Sequence, residues 1–171
     1  MQLLKSDIDI QNRVKEISDE ISQQCGESGQ PPIIIGVLNG AFMFVADLVR
    51  YLSIDCEVDF IKISSYASAT SSTGTVRLIK DISADITNRH VIIVEDIVDT
   101  GLSLKFLRKR MLETNPRSLS FATFLLKPEI AKINFEIDWI GFEIENKFVV
   151  GYGLDYDQKY RGLTSIHIYD E

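Results

Sequence analysis

Between Val91 and Leu104 the chain reads VIIVEDIVDTGLSL, an aliphatic run that leads into Glu95, Asp96 and Asp99 and then into Thr100-Gly101-Leu102-Ser103. The backbone N–H groups around Thr100 and Gly101, the Thr100 and Ser103 hydroxyls and the positive end of a helix starting there would form a cradle suited to a phosphate. Carboxylates beside a phosphate repel it unless they face something else. If the acids face a divalent cation or ribose hydroxyls while the turn holds the phosphate, the stretch reads as a sugar-phosphate site with Mg²⁺. A solvated, capped helix start would explain one acid and a capping Thr or Ser. It leaves the adjacent pair Glu95-Asp96, at the end of an aliphatic strand, without a reason. Neither GxGxxG nor GxxxxGK[ST] occurs in the chain, so the usual dinucleotide and nucleoside-triphosphate cradles are absent.

Other residues carry weaker signals. The turn Asn39-Gly40-Ala41 has small residues that let backbone amides approach an anion, although taken alone an ordinary βα turn is the better explanation. Lys127-Pro128 puts a cation at a strand end, where it could donate to a carbonyl oxygen; taken alone, it is expected to point into water. Phe148 could stack on a planar base, but a lone Phe is expected in the core. Asp155 and Arg161 follow on a polar loop, and Tyr152, Tyr156 and Tyr160 fit either a rim or a subunit contact. His90 and His167 lie at predicted strand edges and lend little support to a hydrolytic triad. They are expected to be structural, as are Cys25 and Cys56.

The elements that must position these residues alternate. Asp7 to Gln24, with Ile8, Val14, Ile17 and Ile21 near helical spacing, predicts an amphipathic helix. Pro31 to Leu38 predicts a strand covered on both faces, followed by a tight turn and a helix over AFMFVADLVRYL. Strands are also predicted at Glu57 to Ser65, Thr75 to Ile82, Ser118 to Leu126, Ile137 to Ile144, Phe148 to Gly153 and Ser165 to Asp170, with a helix over LSLKFLRKRMLE. The polar stretch Ser64 to Gly74 predicts a mobile loop. Aliphatic strands alternating with helices imply an α/β fold with an open, mostly parallel twisted sheet flanked by helices. Ligands bind such sheets outside the carboxyl ends of the strands. The segments after Leu38, Val94 and Leu126 are therefore the places to look, with the acids after Val94 expected to lie beyond the sheet.

At 171 residues without long Pro, Ser or Gly tracts, a single domain spanning 1–171 is expected. A net charge of -7 argues against nucleic acid as a partner. No apolar run approaches the roughly 20 residues of a membrane span, and no secretory signal is visible, so the expected setting is cytoplasmic, with no membrane contact. The two separated cysteines suit a reducing compartment.

Taken in order, these segments resemble the purine phosphoribosyltransferases, and most closely the hypoxanthine (guanine) phosphoribosyltransferase family of type I fold. VIIVEDIVDTGLSL resembles the family's signature for 5-phosphoribosyl 1-pyrophosphate, LNGA its pyrophosphate loop, SSYASATSSTG its lid, and KFVVGYGLDYDQKYRGL its base- and pyrophosphate-contacting segment. The resemblance implies a small hood formed by the N- and C-terminal segments. It also implies purine salvage: a 6-oxopurine plus the pyrophosphorylated ribose 5-phosphate gives IMP or GMP and pyrophosphate, in a homodimer or homotetramer dependent on Mg²⁺. By the same resemblance Asp99 is the general acid/base at purine N7, and Glu95 and Asp96 hold the ribose and Mg²⁺. The loop from Ile97 and Val98 through Thr100, Gly101, Leu102 and Ser103 holds the 5-phosphate. Lys127, Lys147, Phe148, Val149 and Asp155 meet the base, with Asp155 also a ligand to a second Mg²⁺. Asn39, Gly40, Ser65, Tyr66 and Arg161 serve pyrophosphate and lid. The chain departs from the family at Asn39, where many relatives carry Lys, and the Leu38-Asn39 peptide is expected to be cis.

Overall fold

A computed structural model describes residues 1–66 and 74–169. In chain order the elements are β1 (Gln2–Lys5), α1 (Asp7–Cys25), β2 (Ile33–Leu38), α2 (Phe42–Tyr51), β3 (Glu57–Tyr66), β4 (Thr75–Lys80), β5 (His90–Val98), α3 (Leu102–Leu112), β6 (Ser118–Leu126), β7 (Trp139–Glu143), β8 (Val149–Val150) and β9 (Ile166–Ile168). Six strands form one sheet in the order β4-β3-β2-β5-β6-β7, all parallel except β4, which runs antiparallel to β3.

Both faces of the central strands are covered, which is why β2 and the start of β5 read as continuous aliphatic runs. Ile34, Ile92 and Val94 pack with Ile10, Val14 and Ile17 of α1 and Phe44 and Leu48 of α2. The alternate residues Ile33, Ile35, Val91 and Ile93 pack with Leu104, Leu107 and Met111 of α3. Successive side chains on a strand point to opposite faces, so each strand feeds both cores. The start of α1 is fixed by a capping box: Asp9 N–H donates to Ser6 Oγ (3.2 Å) and Ser6 N–H donates to Asp9 Oδ2 (3.1 Å). Its buried stripe begins at Ile10 rather than at Ile8, which is 72% exposed. The capping box sets the helical phase, and four-residue spacing from Val14 leads back to Ile10.

The N-terminal strand β1, which local pattern did not suggest, pairs antiparallel with β9, and β9 with β8, forming a second, three-stranded sheet. The termini thus form the expected hood. The strand predicted over Phe148 to Gly153 contracts to Val149–Val150, because Gly151, Tyr152 and Gly153 turn with φ of 103°, 50° and 95°. The expected lid is only partly within view: Ser64, Ser65 and Tyr66 end β3, Gly74 precedes β4, and residues 67–73 lie outside the described residues. Among the described residues no helix is long and apolar enough to cross a membrane.

One expectation about β5 is corrected. The strand does not end at Val94 but continues to Val98, pairing Glu95 with Thr123, Ile97 with Leu125 and Val98 with Leu126 of β6. Its other neighbour, β2, pairs with it only as far as Gly36 opposite Val94. Glu95 and Asp96 are therefore strand residues whose β2 side is open.

Candidate active site

The chain leaves β2 through α2 toward β3 and leaves β5 through α3 toward β6, in opposite directions across the sheet. The carboxyl ends of β2 and β5 thus flank a crevice at a topological switch point, where open α/β sheets bind ligands. A cleft of about 340 Å³ there is lined by Ser65, Gly74, Glu95 and the run from Ile97 to Leu104. A more polar hollow of about 250 Å³ adjoins it and brings Asn39, Gly40, Asp96, Asp155 and Arg161 together.

The three acids separate into different environments. Glu95 is 5% exposed, and burial, then the neighbouring Asp96 charge, push its ionisation well above the usual carboxylate range. Asp96 is half-buried, and burial raises its pKa to about 6 although the Ile97 N–H and the Arg161 charge favour its ionised form. Its Oδ1 accepts the Ile97 N–H at 2.8 Å. The carboxylate packs against the Gly40 backbone so closely that a Cβ at Gly40 would fall on it. Asp99 instead faces outward, 54% exposed, with its Oδ1 at 3.5 Å from Lys127 Nζ.

Among the described residues no three His, Cys, Asp or Glu side chains are gathered to hold a metal on their own. Asp155, expected as a ligand, is engaged by Arg161 (3.0 Å) and by the Gln158 N–H (2.9 Å). Mg²⁺ usually takes one or two carboxylates and completes its shell with water and substrate phosphates. The adjacent Glu95 and Asp96, hard oxygen donors whose charge burial disfavours, fit a cation of that kind.

The cradle is built by the strand-to-helix turn. Gly101, at φ 88°, occupies the left-handed region and precedes α3. Its close approach to Ile133 leaves no room for a side chain, and the Lys132 N–H donates to the Thr100 carbonyl at 3.0 Å, so the turn is supported from behind. Ser103 Oγ lies 3.3 Å from Ser65 Oγ, joining the cradle to the last turn of β3 before the lid. Across the crevice the Leu38-Asn39 peptide is cis, with Asn39 exposed and Gly40 buried.

On the third side, two expectations from single residues are reversed. Lys127 is buried, not solvated: its N–H donates to the Val98 carbonyl (3.0 Å) and its carbonyl accepts the Ala131 N–H (3.0 Å), so its backbone is fixed where β5 and β6 end. Phe148 is not in the core but 52% exposed. It meets Tyr156 edge-on at 5.9 Å, and Tyr156 stacks on Tyr169 at 4.6 Å. Tyr169, which nothing in the sequence singled out, completes this aromatic rim. Val149 is buried in β8 opposite Ile168, and Lys147 pairs with Glu145 at 2.9 Å. Lys127, Lys147, Phe148 and Val149 line neither hollow; Lys127 reaches the cleft through Asp99. The tyrosines divide: Tyr152 is buried and hydrogen-bonded to Asp47, while Tyr156 and Tyr160 stand at the rim. His90 begins β5, at the far end from the acids, and bonds Ser118; His167 bonds Ser165.

A family model described as a phosphoribosyl transferase domain matches residues 6–157. The hypoxanthine-guanine phosphoribosyltransferase of Mycobacterium tuberculosis is 46% identical over 165 residues, covering 94% of this chain and 82% of that protein. The chain belongs to the hypoxanthine (guanine) phosphoribosyltransferase family. The hypoxanthine phosphoribosyltransferase of Escherichia coli K12 is 40% identical over 166 residues, covering 97% of this chain and 93% of that protein. A crystal structure of a hypoxanthine-guanine phosphoribosyltransferase from Bacillus anthracis, with HEPES in its active site, superposes with a TM-score of 0.93 at 41% identity, covering 99% of both chains. The family's type I fold is the architecture seen here, a mostly parallel sheet with helices on both faces.

Proposed function

We propose that the chain, acting as one domain, transfers the 5-phosphoribosyl group from 5-phosphoribosyl 1-pyrophosphate to hypoxanthine or guanine. The products are the nucleoside monophosphate and pyrophosphate. The observation that carries the reading is the division of the acids: buried Glu95 lines both hollows, half-buried Asp96 lies beside Gly40 and Arg161, and Asp99 pairs with Lys127 on the other side. As the C1–pyrophosphate bond breaks and the bond from a purine ring nitrogen to C1 forms, positive charge develops on the ribose and negative charge on the leaving group. Glu95 and Asp96 bind the ribose hydroxyls and the metal and favour the cationic sugar. Bound Mg²⁺ would supply charge neutralisation on pyrophosphate.

The cradle from Thr100 to Ser103 anchors the 5-phosphate. Asp99 takes the proton that the base loses at N7 and returns it in the reverse direction. Lys127 donates to the purine O6, Phe148 stacks on the ring, and Val149 offers backbone groups to its other edge. Asn39, Gly40 and Arg161 meet pyrophosphate. Ser65 and Tyr66, with the segment beyond them, keep water from the reactive sugar. The reading extends to a cytoplasmic homodimer or homotetramer.

Its test is a steady-state comparison of hypoxanthine, guanine, xanthine and adenine, with and without Mg²⁺. Pyrophosphate release with hypoxanthine or guanine, lost on chelation, is the expected result. Adenine as best substrate, or no release with any base, would overturn it.

A further inference from the structure

Tyr152 lies in the left-handed region at φ 50°, is 2% exposed, and packs its ring on Phe124 at 4.9 Å. A non-glycine residue in that conformation costs free energy, which the surroundings must offset. They do so through the side chain. The Tyr152 hydroxyl donates to Asp47 Oδ2 at 2.7 Å, and the same oxygen accepts from Gln11 Nε2 at 2.9 Å, while Tyr51 donates to Gln11 Oε1 at 3.0 Å. The Asp47 side chain is 16% exposed. None of these residues lines either hollow.

The tether joins two parts of the crevice. Asp47 is on α2, whose first turn continues directly from Asn39, Gly40 and Ala41. Tyr152 lies between Gly151 and Gly153, and Gly153 approaches the Gly40 carbonyl so closely that a side chain there would strike it. The Gly153 N–H donates to the Arg161 carbonyl at 2.9 Å, and Arg161 returns a bond from its guanidinium to the Gly153 carbonyl at 2.7 Å. Arg161 also holds Asp155 at 3.0 Å.

We infer that the Tyr152–Asp47 hydrogen bond is a positioning device for the pyrophosphate side of the site: it docks the turn carrying Gly153, Asp155 and Arg161 onto α2 and so fixes its gap from the Gly40 loop. Neither residue touches substrate. The inference rests on the function proposed above for its ligand.

Tyr152→Phe removes the hydroxyl and keeps the ring in the core. Loss of this hydrogen bond is expected to raise KM for the pyrophosphorylated sugar about tenfold and leave KM for the purine nearly unchanged when both are measured well below the Tm, which should fall by no more than about 10 °C. Asp47→Ala, which also releases Gln11 and Arg50, should be at least as severe, and the double variant should be no worse than Asp47→Ala, since the Tyr152 bond is already lost in it. Asp47→Asn, which keeps an acceptor, should rescue most of the loss. Calorimetric titration of wild type and Tyr152→Phe with Mg²⁺ and inorganic pyrophosphate gives a readout independent of turnover, and binding should weaken by a similar factor. A wild type without turnover would defeat the proposed activity, while this titration would still decide the inference. Unchanged pyrophosphate affinity in Tyr152→Phe, single effects that multiply in the double variant, or losses that only track a fall in Tm would overturn it.

Discussion

The Lys127 ammonium lies 3.5 Å from an Asp99 carboxylate oxygen, with the lysine side chain 9% exposed and the aspartate 54%. A pair open to water on one side contributes about 1 kcal/mol or less to stability, so the contact says more about where the groups are held than about folding. Asp99→Asn keeps the shape and removes the base. It is expected to lower kcat by about 10²- to 10⁴-fold with little change in KM for the sugar substrate, and to shift Tm by no more than about 4 °C. A steady-state comparison in both reaction directions checks this, and a variant retaining most of its kcat would remove Asp99 from its assigned role.

Phe148 offers a separate handle on the base. A buried Phe replaced by a smaller residue typically costs about 3–5 kcal/mol. With 52% of Phe148 exposed, Phe148→Leu should cost far less. A stacked base is worth about 1–3 kcal/mol, so KM for hypoxanthine should rise by about tenfold or more while KM for the sugar stays within a factor of about two. Phe148→Tyr, which keeps the ring, should behave nearly as wild type. Equal KM values for Phe148→Leu and wild type would show that the ring does not contact the base.

What could be read from the sequence follows from what is local. The cores of β2 and β5 were legible because both faces are apolar, and α1 because Val14, Ile17 and Ile21 repeat at helical spacing. The end of β5 was not, because Glu95 stays in the sheet through Thr123 of β6, and no local signal marks where β2 departs. Lys127 reads as solvated in isolation; only the closure of its backbone against Val98 buries it. Phe148 reads as core until Gly151 to Gly153 are seen to turn and end β8 beside it. The acids could be assigned to chemistry because their types conflict with an aliphatic strand. The Asp96 contact with Gly40 and the Tyr152 bond to Asp47 join distant segments and leave no trace in either.

That Asp96 contact makes Gly40 a steric test. A methyl at Gly40 would fall on the carboxylate, so Gly40→Ala must displace either Asp96 or the loop. A displacement of that kind moves the proposed metal ligand, and the loss should appear as a Mg²⁺ requirement raised by about tenfold or more, together with a higher KM for the sugar. Gly26→Ala is the control: its new methyl meets only Ile54 at an ordinary 3.7 Å and its backbone is right-handed, so activity should not change. If Gly40→Ala keeps wild-type metal dependence, the packing of Asp96 on Gly40 is not needed for metal use.

The neighbouring carboxylates, buried Glu95 and half-buried Asp96, carry a pH signature whose sign can be fixed. Burial raises Asp96 from the ordinary value of 3.8 to about 6, and raises Glu95 well above its ordinary value. The folded state therefore holds protons that the unfolded chain releases. This contribution to stability is fully present below the unfolded pKa and is lost as pH rises through the folded one. For Asp96 the window runs from about 4 to about 6. Depressed carboxylates such as Asp81, held down first by its hydrogen bond from Arg110, work in the opposite sense and at lower pH. The metal-free protein should consequently lose Tm between roughly pH 4 and pH 6. Asp96→Asn, with nothing to ionise there, should lose less and exceed wild type at pH 7. Mg²⁺ with pyrophosphate should narrow that difference by binding the charged wild-type site, since a ligand bound only by the folded state stabilises it. Thermal melts of both proteins across that range, with and without Mg²⁺ and pyrophosphate, measure this; an Asp96→Asn curve parallel to wild type at every pH would mean that Asp96 is already ionised and solvated in the metal-free fold.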